Sequence, residues 1–463
     1  MGWTSEWLSR TLQRRPAVLR ALVRFSESIR PGGVIVGRAS EVRDIFDRTH
    51  DFQVGITIAP KTKTGPFLLS MDEGPRHSQE KRALVAAING PFENFARIAA
   101  RESQLIAAEV ATRASRGGTI DLASDYAERV FIRTLAEYFG LPIEGWRSAH
   151  LNVPPGDAPE GERTLALYIR YLGATIGSGS SPAPFGLEAL AVAIAEDFTQ
   201  QLTPKIAAQK ANPQPGTVLG SLFAASELEN DVGADARYVQ EDGLTRSIAG
   251  LLSAGASFPK AVANVLYELA QRNLLGGLVE KATDPGVTPD AWKAFIEPYV
   301  LEALRFRPAF PVLARYCPRS VALAGREVAA GSAVVFSPLA AMFDPELVDR
   351  PEEFIPGRPA DTYLIFGAGP RACIGKQMML GLFPPLLREL FTQMPKIASA
   401  APGTFRYDGA ALEHYWVTLD RAEAEVVPLP PPRQSNPMPP RLPLTAVRVV
   451  IPSELLDRDS RPV

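Results

Sequence analysis

The chain has 463 residues, of which 46% are hydrophobic and 22% charged, with a formal net charge of -2. A chain of this size and balance can bury an ample core without disulfides, and it lacks the global basic bias that attracts nucleic acid. Two cysteines, Cys317 and Cys373, exclude a disulfide framework, and four scattered histidines (His50, His77, His150, His414) lack the close spacing of a zinc-binding helix. The amino end has no apolar core of signal-peptide type, and no apolar run reaches membrane-spanning length. The expectation is a soluble protein of a reducing cytoplasm, with no nucleic-acid partner and no membrane span.

In chain order, residues 4–30 alternate apolar and basic positions and predict an amphipathic helix. Gly33–Gly37 reads as a short strand, Ala39–Arg48 as a helix and 52–70 as irregular chain. Residues 77–148 and 164–212 are mainly helical by period, with surface loops at 153–161 and 177–185, where Pro and Gly concentrate. A helix from about Leu244 to Gln271 is apolar nearly all round, which marks a buried one; between Arg246 and Glu268 its only charge is Lys260. Another helix covers Asp290–Phe306. The period then shortens, and Val321–Leu323, Val328 and Val334–Phe336 read as hairpins, followed by irregular chain at 338–370. A last helix runs from near Cys373 to Phe391, bent or interrupted at Pro384-Pro385. The organisation expected is a single catalytic domain over 1–427, with a Pro-rich extension over 428–463.

The densest signal is Phe366-Gly367-Ala368-Gly369-Pro370-Arg371-Ala372-Cys373-Ile374-Gly375. Gly367, Gly369 and Gly375 allow tight turning and close approach to a flat ligand. Cys373 stands before a helix start, where backbone N–H groups favour a thiolate. Arg371 can pair with an anionic group of such a ligand, and Phe366 can pack near the sulfur.

This segment resembles the haem-binding signature of the cytochrome P450 superfamily. The resemblance implies a mainly α fold with minor β sheets, the triangular haem-thiolate fold, and haem b (iron protoporphyrin IX) with Cys373 as its metal ligand. Further motifs agree. Glu302-Ala303-Leu304-Arg305 is similar to the family's Glu-x-x-Arg helix motif, and Arg358 would complete its buried structural cluster. Arg315 would bind a haem propionate. Met71–His77 resembles the start of a haem-contacting helix, with His77 and either Lys81 or Arg82 towards a propionate.

The long helix departs from the family pattern. Ala254-Gly255-Ala256-Ser257-Phe258-Pro259 stands where an acid and a threonine usually deliver protons for O₂ cleavage. Ser257 replaces the acid and Phe258 the threonine, while Pro259 predicts a kink. Ala254 and Gly255 still let the backbone lie against the haem. Ser257, Ser253 or water would then carry protons. Alternatively, peroxide or a hydroperoxide supplies the oxygen without a redox partner.

The resemblance implies an apolar pocket from Ile56, Ile58, Leu252, Ser253, Phe258, Phe310, Val312, Leu313 and 414–417, with Lys61, Lys63 and His414 available to a carboxylate. The expected function is oxidation or oxidative rearrangement of a hydrophobic small molecule, with a ferredoxin or flavoprotein electron donor in the O₂-dependent mode. A non-catalytic haem ligand sensor is a rival of another class.

Overall fold

The computed structural model describes residues 28–30, 33–55, 63–177, 187–397, 404–408 and 411–417. Ile56, Ile58, Lys61, most of the helix expected over 4–30, the loop after Gly177 and the Pro-rich extension lie outside the described residues, and so does the side chain of His414. The end of the expected first helix is a strand instead. β1 (Ser28–Arg30) pairs antiparallel with β2 (Gly33–Val36), so its backbone groups are used by a ladder.

β2 lies parallel to β7 (Ala333–Phe336), whose other edge carries β4 (Leu313–Tyr316), giving the order β1-β2-β7-β4. Val34, Val36, Val334 and Phe336 are buried and pack against α1 (Ala39–Asp47), where apolar residues at helical spacing, Val42, Ile45 and Phe46, turn inward. β5 (Val321–Leu323) and β6 (Arg326–Val328) form the expected hairpin.

Helices make up most of the rest: α2 (Pro75–Asn89), α3 (Phe92–Ala114), α4 (Arg129–Phe139), α5 (Glu160–Gly177), α6 (Leu187–Ala211), α7 (Val218–Ser226), α8 (Asp231–Ala254), α9 (Ser257–Gln271), α10 (Leu275–Thr283) and α11 (Pro289–Phe306). Beyond the short α12 (Pro338–Ala341) comes α13 (Lys376–Gln393). A π-helix, Leu122–Glu128, leads into α4. β3 (Ile120–Asp121) pairs with β9 (Ala411–Val417), which pairs with β8 (Thr404–Asp408). The mainly α architecture with minor sheets is the expected one.

The helix expected over 244–271 is two helices. α8 begins where the Asn230 side chain accepts the Gly233 N–H at 3.0 Å, is interrupted at Gly243 (φ 145°), directly before the expected start at Leu244, and ends at Ala254. Gly255 N–H bonds Leu252 O at 3.1 Å and Ala256 N–H bonds Ser253 O at 3.2 Å, a turn tighter than α. Pro259 offers no N–H to the Gly255 carbonyl, which takes Phe258 N–H instead at 2.9 Å. The expected kink is therefore a tightened turn at Gly255-Ala256, whose backbone stays in the right-handed helical region and divides α8 from α9.

α13 contains Pro384 and Pro385 and runs through them, so of the bend or interruption expected there the interruption does not occur. Trp292 Nε1 donates to Pro384 O at 2.8 Å and Tyr126 OH to Leu386 O at 2.7 Å, so buried side chains of two other elements tie α13 into the core. No helix of the described residues is long and apolar enough to cross a membrane.

Candidate functional site

The segment before α13 folds back on the end of α1. Gly367 and Gly369 have φ of 69° and 64°, the left-handed region that glycine enters without strain. A Cβ on Gly369 would stand 2.6 Å from Asp47 Oδ1 and 2.9 Å from Phe46 O. Gly375 is different: its φ is -85°, and a Cβ there would meet only Cys373 Sγ, at 3.8 Å. It leaves space at the sulfur and does not make the turn. Cys373 N–H bonds Phe366 O at 2.8 Å, which closes the loop and ties the Phe366 backbone to it.

The Cys373 side chain is exposed at the surface of this loop, yet enough atoms surround it that burial pushes the thiol up. The backbone N–H groups of Gly375 and Lys376 pull it down again and are outweighed. The helix start alone therefore does not make a thiolate here. A bound metal cation would reverse that balance.

A set of cationic groups gathers near this loop. Arg315, on β4, is buried, and its guanidinium is pushed down to about 9 by burial and by Arg371, with Asp72 opposing. Its one described side-chain hydrogen bond goes to its neighbour's carbonyl, Ala314 O, at 2.8 Å. Arg371 donates to Leu69 O at 3.0 Å and is also lowered, mainly by burial. Lys81 donates to Pro370 O and is lowered by burial and by Arg371. His77 is pushed down to about 4 by burial, Arg371 and Lys81, so near neutral pH it is uncharged. Among the described residues, Arg315, Arg371 and Lys81 have no carboxylate within salt-bridge distance. Such a set fits a ligand carrying anionic groups, as haem does with its two propionates.

Arg82 does not join this set. It pairs with Asp235 of α8 through Nε at 2.6 Å and Nη2 at 3.0 Å, and its side chain is 61% exposed. Successive helix residues point about 100° apart, so α2 cannot turn Lys81 and Arg82 to the same side.

Glu302, Arg305 and Arg358 come together in the core. Glu302 and Arg305 side chains are 0% exposed and form a two-pronged pair at 2.8 and 3.0 Å. Arg358 Nε reaches Glu302 Oε1 at 3.1 Å, and Ile355 N–H the same oxygen at 2.8 Å. The remaining guanidinium hydrogens go to the carbonyls of Met342, Asp349, Arg350 and Glu353. This cluster pins the irregular chain before the cysteine loop to α11.

The distal residues separate. Phe258 is fully buried, stacked on Phe131 with ring centres 5.2 Å apart and tilted against Phe383 at 5.3 Å. It is core packing here, as are Leu252 and Ser253, both buried; the Ser253 hydroxyl donates to Ala249 O at 2.7 Å. Pro259 is buried, whereas Ala254, Gly255 and Ser257 are half-buried, and Ser257 Oγ donates to Ala254 O at 3.3 Å. Phe310 is 40% exposed, with Val312 and Leu313 half-buried beside it. Tyr415 and Val417 belong to the core.

One element of the site was missed from sequence. Glu80, buried in α2, accepts Leu68 N–H at 2.9 Å, Ser247 Oγ at 2.9 Å and Arg246 Nη1 at 3.2 Å. Arg246 also donates to Pro66 O. Phe67 seats directly on Gly250, where an added Cβ would stand 2.4 Å from the ring. Together they fasten segment 65–70 to α8. Its sequence signal was Arg246, a charge bordering an apolar helix.

Comparison with known proteins agrees with this geometry. The family model described as Cytochrome P450 matches residues 295–383, which span the Glu302 cluster and the cysteine loop. The chain is 25% identical over 347 residues to the cytochrome P-450 monooxygenase DoxA of Streptomyces peucetius subsp. caesius, covering 74% of each chain. It is 24% identical over 347 residues to the nocardicin C N-oxygenase of Nocardia uniformis subsp. tsuyamanensis, covering 74% of this chain and 76% of that one. A 33% identical stretch of 94 residues links it to cytochrome P450 4d2 of Drosophila melanogaster, but spans only 19% of each chain. Among solved structures, P450BioI superposes with a TM-score of 0.67 at 18% identity, over 89% of this chain and all of that one. CalO2 gives 0.67 at 18% identity, over 88% of this chain and 96% of that one. With the helix-rich fold, the cysteine loop and these relatives in agreement, the chain belongs to the cytochrome P450 superfamily of haem-thiolate enzymes.

Proposed function

We propose that this protein is an O₂-dependent monooxygenase that uses haem b to oxidise a hydrophobic small molecule. The observation that carries this is the pairing of an exposed Cys373 sulfur with buried Arg315 and half-buried Arg371 and Lys81, none of which has a carboxylate within salt-bridge distance among the described residues. Cys373 would hold the iron, with the N–H groups of Gly375 and Lys376 directed at the sulfur. Arg315, Arg371 and Lys81 would meet the propionates, and neutral His77 would contribute an N–H. When bound, the haem supplies the oxidising chemistry: one oxygen atom of O₂ enters the substrate and the other leaves as water, with two electrons and two protons consumed.

The chain's own contribution is position and dryness. Segment 65–70, fixed by Glu80 and Gly250, the exposed Phe310 and the half-buried Val312 and Leu313 would present apolar surface to the substrate. The relatives that align over most of this chain are a monooxygenase and an N-oxygenase, which supports the O₂ mode over peroxide. Electrons would come from a ferredoxin or flavoprotein donor.

The reduced, carbon monoxide-treated protein should absorb at about 450 nm, where thiolate-bound haem is expected, and Cys373→Ala should abolish that band. A reductase with O₂ should support turnover of apolar lipids or aromatic metabolites. Turnover with peroxide alone, and none with reductase, would overturn the proposed oxidant.

A further inference from the structure

Asp72 lies between segment 65–70 and the start of α2, half-buried, and its carboxylate is held unlike the others inside the protein. The buried Glu80, Glu162, Glu268 and Glu302 each meet an arginine within 3.2 Å. Among the described residues, no cation lies within salt-bridge distance of Asp72. Instead its Oδ1 accepts the Val54 N–H at 2.7 Å and the Gly55 N–H at 2.9 Å. Its Oδ2 lies against Gly55, where an added Cβ would stand 2.4 Å away. Glycine at position 55 is what lets the carboxylate close on this stretch of backbone.

The clasp sits beside the cation set. Gln53 exchanges two backbone hydrogen bonds with Tyr316, at 2.8 and 2.9 Å, and Tyr316 directly follows Arg315 on β4. On the other side, Leu69, three residues before Asp72, gives its carbonyl to Arg371, and His77 comes five residues after Asp72. Three parts of the site therefore converge on this carboxylate. Its charge acts favourably on Arg315, Arg371 and His77 together. Glu73, held by the Thr49 hydroxyl, acts instead on Arg371 and Lys81. At Arg315, burial and Arg371 still outweigh Asp72, so the compensation is partial.

A carboxylate in direct contact would occupy the donors of Arg315. Asp72, tied to backbone N–H groups, lends its charge and leaves those donors to a ligand. We infer that Asp72 is a positioning residue of the haem site: a resident counter-charge that steadies Arg315 before haem binds and opposes the propionates once they reach it. It acts through Arg315 and touches no reacting atom. The inference rests on the haem-binding reading and adds to it a residue that sets how tightly haem is kept. Its sign differs between the two states. Without haem, the charge offsets part of the repulsion between Arg315 and Arg371. With haem, the same charge repels the propionates.

Asp72→Asn isolates the charge, because the amide oxygen still accepts both N–H groups. Transfer of haem from the loaded protein to excess apomyoglobin should slow roughly tenfold in this variant, the scale of one charge removed near a half-buried site. The haem reduction potential should rise, since one negative charge no longer favours the oxidised iron. A clasp that only holds backbone would leave the potential where it is. With Arg315→Ala in both proteins, the change in transfer rate should shrink to about threefold or less, because interacting residues are not additive. Should Asp72→Asn alone fail to fold, the double variant with Arg315→Ala, which also removes the stranded cation, should be recovered as soluble protein. Wild-type transfer and potential in Asp72→Asn, faster haem loss, an undiminished change beside Arg315→Ala, or failure of the double variant to fold where the single one fails would each overturn the role of Asp72 and leave the haem reading standing. A wild type that takes up no haem would overturn that reading and this inference with it.

Discussion

Two buried charge clusters lie close in sequence order but differ in kind. Around Glu302, one carboxylate and two guanidiniums satisfy one another, and backbone carbonyls take the rest. Around Arg315 and Arg371, the cations repel one another and their described hydrogen bonds end on single carbonyls. The first cluster is complete as the chain folds. The second is costly until an anion arrives. Burial alone therefore does not separate structural charges from binding charges, whereas the count of internal partners does.

The sharpest way to break this comparison is to remove Glu302. Glu302→Ala strands Arg305 and Arg358, at roughly 3–5 kcal/mol or more, and should abolish soluble, haem-loaded protein. Full thermal stability in the variant would show that the cluster is not the closed one described.

Arg315→Ala and Arg371→Ala should behave in the opposite sense before haem is added. Each removes a repelling, desolvated cation, so haem-free protein should be at least as stable as wild type in denaturant. Haem affinity should fall by roughly 1.5–3 kcal/mol per variant, the scale of a hydrogen bond to a charged group. Loss of stability with unchanged haem affinity would place these arginines with the structural cluster.

The smallest effect is expected at Arg82. Its guanidinium is mostly exposed and pairs with Asp235, so Arg82→Ala should cost about 1 kcal/mol or less and leave haem affinity unchanged. Weaker haem binding would mean that Arg82 swings round to the site when the ligand is present.

The cysteine loop and the Glu302 motif were legible because each is a short string in which chemistry fixes spacing. Glu302 and Arg305 share a helix face by virtue of the α repeat. The kink at Pro259 was equally legible, since a missing N–H has a local consequence. What was not legible depended on partners far along the chain. Nothing near Arg82 announces Asp235, and nothing near Phe258 announces that Phe131 and Phe383 will enclose its ring. Arg246 stood out as an isolated charge, but only folding gave it Glu80.

The seat of Phe67 on Gly250 makes a mechanical coupling between α8 and the cysteine loop. Phe67 belongs to the segment whose Leu69 carbonyl receives Arg371. Any displacement of α8 at Gly250 must push a rigid ring, and the ring carries Leu69 with it. Strain on α8 is thereby transmitted to an arginine two positions from Cys373. A bulky substrate that shifts this helix would thus be felt on the sulfur side of the site. Gly250→Ala, which inserts one carbon into the same contact, is the smallest wedge that imposes that shift, readable as a displaced haem absorbance band without any substrate present.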